Sequence, residues 1–151
     1  MTVCPRSSPI PALSFKQYRE DYYRYLDGVR TAGDWEAWLG FYLAGVRQTA
    51  DNAVTTAQRL IKLFREDRER IQKEGRAAGS AIRVHGALQE RPLVTMPEVQ
   101  AKTSLSFPAV SAGMQLLSRL GIVKEITGKR RDRVFAYSKY LDILNEGTEP
   151  L

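Results

Sequence analysis

The sequence predicts a mainly α-helical chain with a small β-hairpin in its second half. Its first half repeats apolar residues at steps of three and four, which is the spacing of one helix face. The second half divides into short segments bounded by capping residues, prolines and glycines. Near the end, two runs of alternating apolar and polar residues flank a basic turn, a pattern typical of a β-hairpin.

The composition is that of an ordinary globular protein with a surplus of basic residues. Of 151 residues, 43% are hydrophobic and 26% are charged, and the net charge is +6. Residues 76–151 hold 11 Lys and Arg against 7 Asp and Glu, a net of +4, so most of the surplus lies in the second half. A positive surplus of this kind suits an acidic partner such as nucleic acid.

The beginning of the chain and its single cysteine bear on where the protein acts. Residues 1–13 contain three prolines, which restrict the backbone and predict a flexible Pro-rich tail. Cys4 is the only cysteine, so no internal disulfide can form and a reducing compartment is expected. No apolar run approaches the roughly 18 residues of a membrane span. We therefore expect a cytoplasmic protein without membrane contact.

Residues 14–75 are predicted to form a helical subdomain. Ser14 begins the first helix, and Gly33 stops it. Asp34 caps the next helix. A broad apolar stripe then follows, formed by Trp35, Trp38, Leu39, Tyr42, Leu43 and Val46. The helical pattern continues without a proline, and both one long helix and two successive helices fit it.

Residues 80–146 contain a fixed order of short elements. Ser80 is predicted to cap the first helix, and the run LVT then forms a short strand. Thr95 and Glu98 form a capping box for the second helix. Ser106 caps the third helix, with a proline in its first turn.

A hairpin and a last helix complete this half of the chain. The third helix stops at Gly121, and the runs IVKEI and RVFAY then flank the turn TGKRRD. SKYLDILNE predicts a small closing helix. Helix, strand, helix, helix and hairpin is the order of a winged helix-turn-helix, and Leu105 can fill the angle between its second and third helices. The predicted fold is a helical subdomain followed by a winged helix-turn-helix with a small β-hairpin wing.

The block SFKQYREDYYRYLDGVRTAGDWEAWLGFYLAGVRQTADNA, followed by these elements, resembles the C-terminal portion of bacterial Fic-family proteins, named for filamentation induced by cyclic AMP. The resemblance covers nearly all of residues 13–145, and GDWEAWLGFYLAGV is its most specific part. It implies a parent nucleotidyltransferase, mostly AMP-transferring, that uses ATP and magnesium through a loop of the form HPFxxGNGR. That loop is absent from this chain, so the resemblance implies a non-catalytic, regulatory C-terminal part.

The residues themselves also predict no catalytic or metal site. His85 is the only histidine, and its place on the inward face of a short helix predicts a packed residue. No cluster of Cys and His has metal-ligand spacing. Glu66, Asp67 and Glu69 are interleaved with arginines, which predicts ion pairs. We expect no cofactor in this chain, since ATP and Mg²⁺ would belong to the parent protein.

The third helix and the hairpin carry the predicted nucleic-acid-binding residues. Small and polar side chains on the helix allow close approach to base edges, and basic side chains on the hairpin can hold phosphates in a salt-dependent way. The predicted residues are Lys102, Ser106, Ser111, Gln115, Arg119, Lys129, Arg130, Arg131 and Arg133. A winged helix can also serve as a docking or dimerisation module without binding DNA, and this is the alternative.

The apolar stripe of the helical subdomain needs a partner surface. Its aromatic side chains could stack on bases, but their helical spacing favours packing in a core or against another protein surface. The absent Fic catalytic domain and a second copy of the chain are both such surfaces. The expected partners are therefore double-stranded DNA, a second copy in a homodimer, and the Fic catalytic domain in the parent protein.

Overall fold

The computed structural model describes residues 18–129 and 132–146. They belong to two compact units, one within Met1–Ala57 and the other within Gln58–Leu151. The described residues form six α-helices and a small antiparallel sheet, so the chain is mainly α-helical, as predicted. The boundary between the units falls inside a helix, upstream of residue 75, where the predicted helical subdomain ends.

The first unit contains one helix, a tight turn and the start of a second helix. The helix α1, Arg19–Ala32, ends at Gly33, whose φ of +67° lies in the left-handed region that glycine favours. Asp34 caps α2, because its Oδ1 accepts a hydrogen bond from the N–H of Ala37 at 3.1 Å. Both capping predictions are confirmed, whereas the predicted start at Ser14 lies outside the described residues.

Aromatic side chains pack α1 against α2 within the first unit. The rings of Tyr22 and Trp38 lie 5.3 Å apart, and those of Tyr25 and Phe41 lie 5.1 Å apart. No described residue of this unit is fully buried, because two helices alone do not enclose a core. The exposed large apolar side chains of the unit are Tyr18, Tyr23, Leu26, Trp35, Leu39, Tyr42, Leu43, Val46 and Val54.

The second helix is continuous. The helix α2 spans Trp35–Gln72, so the long helix is the correct one of the two alternatives that the sequence left open. Its last turns carry Leu63, Asp67 and Ile71 at intervals of four residues, and all three are buried in the second unit. The end of α2 is therefore a structural element of the second unit.

Three helices form the body of the second unit with the end of α2. They are α3, Ala78–Glu90; α4, Met96–Thr103; and α5, Phe107–Arg119. A short 3-10 helix, Gly75–Ala77, runs directly into α3. The prediction that Ser80 caps α3 is therefore wrong, because Ser80 already lies in the first turn of that helix.

The start of α4 and the end of α5 follow the sequence prediction. The backbone N–H and the hydroxyl of Thr95 donate hydrogen bonds to Glu98 Oε2 at 2.7 and 2.8 Å. These bonds, the backbone one first, hold the pKa of Glu98 below its ordinary value. Ser106 occupies the capping position of α5 without a capping side-chain hydrogen bond, and Gly121 ends that helix with a φ of +69°.

Three short strands form an antiparallel sheet with the order β1–β3–β2. They are β1, Leu93–Thr95; β2, Lys124–Glu125; and β3, Val134–Ala136. Ala136 lies in the middle of this sheet, since it pairs with Leu93 of β1 and with Lys124 of β2. The helix α6, Ser138–Asn145, follows β3.

The hairpin strands are shorter than the predicted runs IVKEI and RVFAY. The N–H groups of Ile122 and Val123 donate to the carbonyl of Leu117 at 2.9 and 3.4 Å, so they complete the end of α5. They are consequently not available to a strand ladder. Both side chains are nevertheless buried and add to the core, whose other large members include Val84, Leu88, Val99, Val110, Met114, Leu117, Phe135 and Tyr137.

Candidate nucleic-acid interface

The helix α5 has one apolar face in the core and one mixed face in solvent, on which short side chains predominate. Its buried residues are Val110, Gly113, Met114, Leu116 and Leu117. The opposite side consists of Phe107, Pro108, Ser111, Ala112, Gln115, Ser118 and Arg119, of which only Ser111 is half-buried and the others are exposed. Most of these side chains are short, so another molecule can approach the helix closely.

Close packing of α5 against α3 depends on Gly113. A Cβ atom added at Gly113 would lie 3.0 Å from Val84 Cγ2, 3.2 Å from the nitrogen of Ala81 and 3.2 Å from the carbonyl carbon of Ser80. The backbones of the two helices therefore approach more closely than any larger residue would allow. This contact fixes the position of α5 and hence of its exposed face.

The predicted site residues on α5 differ in how they are held. Ser106 and Gln115 are exposed and Ser111 is half-buried, and Gln115 makes no side-chain hydrogen bond to another described residue. Arg119 donates a hydrogen bond to Glu74 Oε2 at 2.8 Å. With side chains 69% and 32% exposed, this ion pair is a weak, solvent-screened interaction.

Lys102 lies on α4 and is also engaged in an ion pair. Its ammonium group donates to the carboxylate of Glu90 at the end of α3, and both side chains are largely exposed. An exposed pair of this kind costs little to break, so Lys102 can exchange its carboxylate for a phosphate. The structure therefore gives Lys102 and Arg119 carboxylate partners that the sequence did not predict.

The turn between α4 and α5 sets the angle between these helices. Ser104 has a φ of +52°, in the left-handed region, and its N–H donates to the carbonyl of Gln100 at 2.9 Å. The half-buried side chain of Leu105 packs against the core. Arg83 of α3 donates to the carbonyl of Thr103, which ties the turn to the first helix of the unit.

The hairpin loop, residues 127–133, is ordered at its start by one carboxylate. Glu125 Oε1 accepts hydrogen bonds from the N–H groups of Thr127 and Gly128 at 2.9 and 2.8 Å. Hydrogen bonds from Thr127, its hydroxyl first, lower the pKa of Glu125, and the charge of Arg133 adds to this effect. Glu125 is therefore ionised at neutral pH, and it holds the loop at the residue before Lys129.

The basic side chains of the hairpin point to solvent where they are described. Lys124, Lys129 and Arg133 are exposed, and none of them forms a salt bridge with another residue of the described chain. Arg130 and Arg131, predicted to contact DNA, lie outside the described residues. The hairpin thus offers cations that form no direct ion pair within the described chain, in contrast to Lys102 and Arg119, although the charge of Arg133 acts on Glu125.

Phe107 belongs to the exposed face of α5 but was not among the predicted site residues. Its side chain is 55% exposed at the first position of the helix. Its spacing of three from Val110 would have assigned it to the apolar, inward face. The signal that identifies it is the adjoining Pro108, because proline marks the first turn, where the chain has not yet joined the core.

A buried polar network lies in the core of the same unit. Asp67 is 2% exposed and accepts hydrogen bonds from the Tyr137 hydroxyl at 2.7 Å and from Arg70 at 2.8 Å. His85 is also buried, as predicted, with its Nε2 3.3 Å from the Tyr137 oxygen. Since Tyr137 uses its proton toward Asp67, Nε2 of His85 must donate, and its Nδ1 accepts from Gln89 at 3.2 Å.

Within this network His85 is neutral because of its burial. Burial lowers the pKa of His85, an effect that Asp67 opposes and Arg68 reinforces. Burial also raises the pKa of Tyr137, which stays a hydrogen-bond donor. The sequence predicted the ion pairing of Asp67 but not its burial. The signal for burial was its position four residues from both Leu63 and Ile71, on the same face of α2.

Comparisons with known proteins give no family for the chain. No family model matches the sequence, and no curated protein matches it. In the described part of the chain no group of three or more His, Cys, Asp or Glu residues could hold a metal ion. None of the helices described here combines the length and the apolar character needed to cross a bilayer.

Proposed function

We propose that residues 78–145 form a winged helix-turn-helix that binds double-stranded DNA. The observation that carries the proposal is the exposed face of α5, which has mostly short side chains, contains no carboxylate and is followed directly by a basic hairpin. The element order and the strand order β1–β3–β2 support it. The +4 net charge of the second half also supports it, because DNA is negatively charged.

In the proposed complex, α5 enters the major groove and the hairpin contacts the backbone. Ser106, Ser111 and Gln115 face base edges, because they lie at the start and on the solvent side of α5, before its C-terminal end. Phosphates are held by the other predicted residues, which are Lys102, Arg119, Lys129, Arg130, Arg131 and Arg133. Each phosphate contact releases counterions, so the affinity falls steeply as salt is added.

The proposed setting is a regulatory C-terminal part of a cytoplasmic Fic-family protein. The sequence block of residues 14–53 supports this through its resemblance to that family. In such a parent protein, ATP and Mg²⁺ act in a catalytic part that this chain does not include. Incubation with labelled ATP, Mg²⁺ and candidate proteins tests the point: no AMP transfer is expected from this chain, and transfer would contradict a non-catalytic role.

Mobility shift on random-sequence duplex DNA at two salt concentrations tests DNA binding. The chain should bind weakly at low salt and lose affinity steeply at higher salt. Replacing Lys129, Arg130 and Arg131 together by alanine should lower the affinity. It should also reduce the salt slope by about 1 for each phosphate that the variant no longer neutralises.

A matched variant separates a local effect from one of net charge. Arg19, Arg24 and Arg30 are exposed residues of the first unit, and their joint replacement by alanine removes the same three charges. This control should bind DNA nearly as the native chain does. Equal weakening by both variants, or no binding by the native chain at low salt, would contradict the proposed interface.

The exposed apolar stripe favours a second function, self-association through the first unit. Trp35, Leu39, Tyr42 and Val46 follow one another at steps of four, three and four along α2, and each is 42% exposed or more. This is the spacing with which one helix packs against another. Leu43, 61% exposed, widens the stripe.

A second copy of the chain is the occupant that we propose for this stripe. Nine large apolar side chains of the first unit are 40% exposed or more. They leave apolar area in solvent that the same helices of a second copy can cover.

A further inference from the structure

The exposed face of α5 carries an incomplete set of the side chains that read bases. Arg and Lys recognise guanine, Asp and Glu accept from cytosine, Asn and Gln pair with adenine, and apolar groups contact the thymine methyl. The sequence of α5, FPAVSAGMQLLSR, contains no Asp, Glu or Lys. Its single cation is Arg119, the last residue of the helix.

Gln115 has the position and the freedom of an adenine reader. It is exposed, and its amide makes no hydrogen bond to another described residue. Its neighbours on the helix surface, three and four residues away, are Ser111, Ala112, Ser118 and Arg119. None of these covers it with a bulky apolar group, so both amide atoms can reach N6 and N7 of one adenine.

Phe107 and Ala112 supply apolar surface at the two edges of the exposed face of α5, on either side of Gln115. Phe107 is 55% exposed although its side chain is large and apolar, and Ala112 is exposed as well. Contact with a thymine methyl group would remove this apolar area from water. The face therefore combines one amide with two apolar groups, which are the readers of the two bases in an A·T pair.

A guanine contact by α5 is disfavoured by the position of Arg119. Its guanidinium group is bound to Glu74 at 2.8 Å. From Phe107 to Arg119 the helix rises roughly 18 Å at 1.5 Å per residue. Arg119 thus lies at the end of the helix that leaves the groove in helix-turn-helix complexes, where phosphate contacts are the rule.

We infer that the protein reads A·T base pairs in the major groove, through Gln115 on adenine and through Phe107 and Ala112 on the methyl groups of separate thymines. The inference rests on the proposed DNA binding and names the class of site that it recognises. The part of α5 before Arg119 has no Arg or Lys to read guanine and no carboxylate to accept from cytosine, so G·C pairs in the contacted positions lower the affinity.

Three duplexes of equal length and charge test the inference with the full chain. They contain alternating A·T pairs, alternating G·C pairs, and inosine·cytosine pairs, which resemble A·T in the minor groove but G·C in the major groove. We expect the A·T duplex to bind roughly 5- to 100-fold more tightly than either of the others, the range of one to two base contacts. Replacing thymine by uracil, which lacks the methyl group, should weaken binding of the A·T duplex.

Two variants assign the effects to side chains. Gln115→Ala should remove most of the preference for A·T pairs, whereas Gln58→Ala, at an exposed glutamine of α2, should leave it unchanged. Phe107→Ala should reduce the difference between thymine and uracil, since Ala112 keeps its own methyl contact. Circular dichroism should show native helix content for all three variants, since the altered side chains are exposed.

The outcomes separate this inference from the proposed function. Salt-sensitive binding with equal affinity for the A·T and G·C duplexes would overturn the reading of A·T pairs and leave DNA binding intact. Binding of the inosine·cytosine duplex as tightly as the A·T duplex would also overturn it, because the preference would then come from the minor groove or from duplex shape. Failure to bind any duplex at low salt would overturn both proposals.

Discussion

Alanine at Gly113 tests the packing that positions α5. Gly86 and Gly113 both lie inside helices, where alanine is favoured over glycine by about 1 kcal/mol of helix-forming free energy. At Gly86 the new Cβ meets nothing within 4 Å, so Gly86→Ala should stabilise the second unit by roughly that amount. At Gly113 the new methyl group meets the side chain of Val84 and the backbone of α3 at 3.0–3.2 Å.

The methyl group at Gly113 cannot be accommodated by a local side-chain movement. Val84 is 0% exposed and β-branched, so its χ1 angle has little freedom inside a helix. Ala81 and Ser80 contribute backbone atoms that move only with α3 itself. Overpacking of this kind costs roughly 1–3 kcal/mol, which outweighs the gain in propensity. Gly113→Ala should therefore destabilise the unit by up to about 2 kcal/mol.

Amide hydrogen exchange in α3 and α5 measures this effect where it arises. The two tryptophans, Trp35 and Trp38, lie in the first unit, so their fluorescence does not report on the second. Faster exchange in Gly113→Ala and slower exchange in Gly86→Ala are the expected pair of results. Equal stabilisation by both alanines would refute the close approach of α3 and α5.

Three further predictions concern the core and the first unit. Burial lowers the pKa of His85 below 6.5, so the unfolded chain binds a proton that the native core excludes. Urea unfolding should therefore show stability falling as the pH drops from 7 to 5. The variant His85→Gln should show a smaller dependence of stability on pH. Tyr137→Phe should cost roughly 1.5–3 kcal/mol in the same assay, since buried Asp67 loses a hydrogen bond. Leu39→Glu with Leu43→Glu should convert a dimer to a monomer in sedimentation equilibrium.

Each of these predictions has a result that contradicts it. The carboxylates with lowered pKa, such as Glu98, titrate below about 4.5, so an unchanged stability between pH 7 and 5 would count against a neutral, buried His85. Tyr137→Phe without loss of stability would contradict the buried network. Placing the same charges at Ala44 and Gln48, exposed residues off the stripe, should keep the dimer; a native chain that is already monomeric would refute self-association through α2.

Elements defined by local chemistry were predictable from the sequence. Gly33 and Asp34 separate α1 from α2 through a left-handed glycine and a carboxylate cap, and Thr95 with Glu98 starts α4 in the same way. In each case the interacting groups are at most four residues apart. The turn chemistry is therefore readable without knowledge of the rest of the chain.

Features that depend on an irregular turn or on distant partners were not predictable. The start of α3 was misplaced because the 3-10 helix Gly75–Ala77 lets the chain enter α3 before Ser80. Tyr137 was not recognised as part of a polar network, since its partner Asp67 is 70 residues away. The same holds for the candidate interface, where the sequence could indicate Arg119 but could not show that Glu74 binds it.

The most direct test of the DNA interface is an NMR titration of the isotopically labelled chain with a short A·T-rich duplex. We predict chemical-shift changes at exposed residues of α5, at Gln115 above all, and in the hairpin loop, residues 127–133. Resonances of α1, Arg19–Ala32, should be unaffected at the same DNA concentrations. Changes confined to α1, or a spectrum that duplex DNA does not alter at low salt, would contradict the proposed interface.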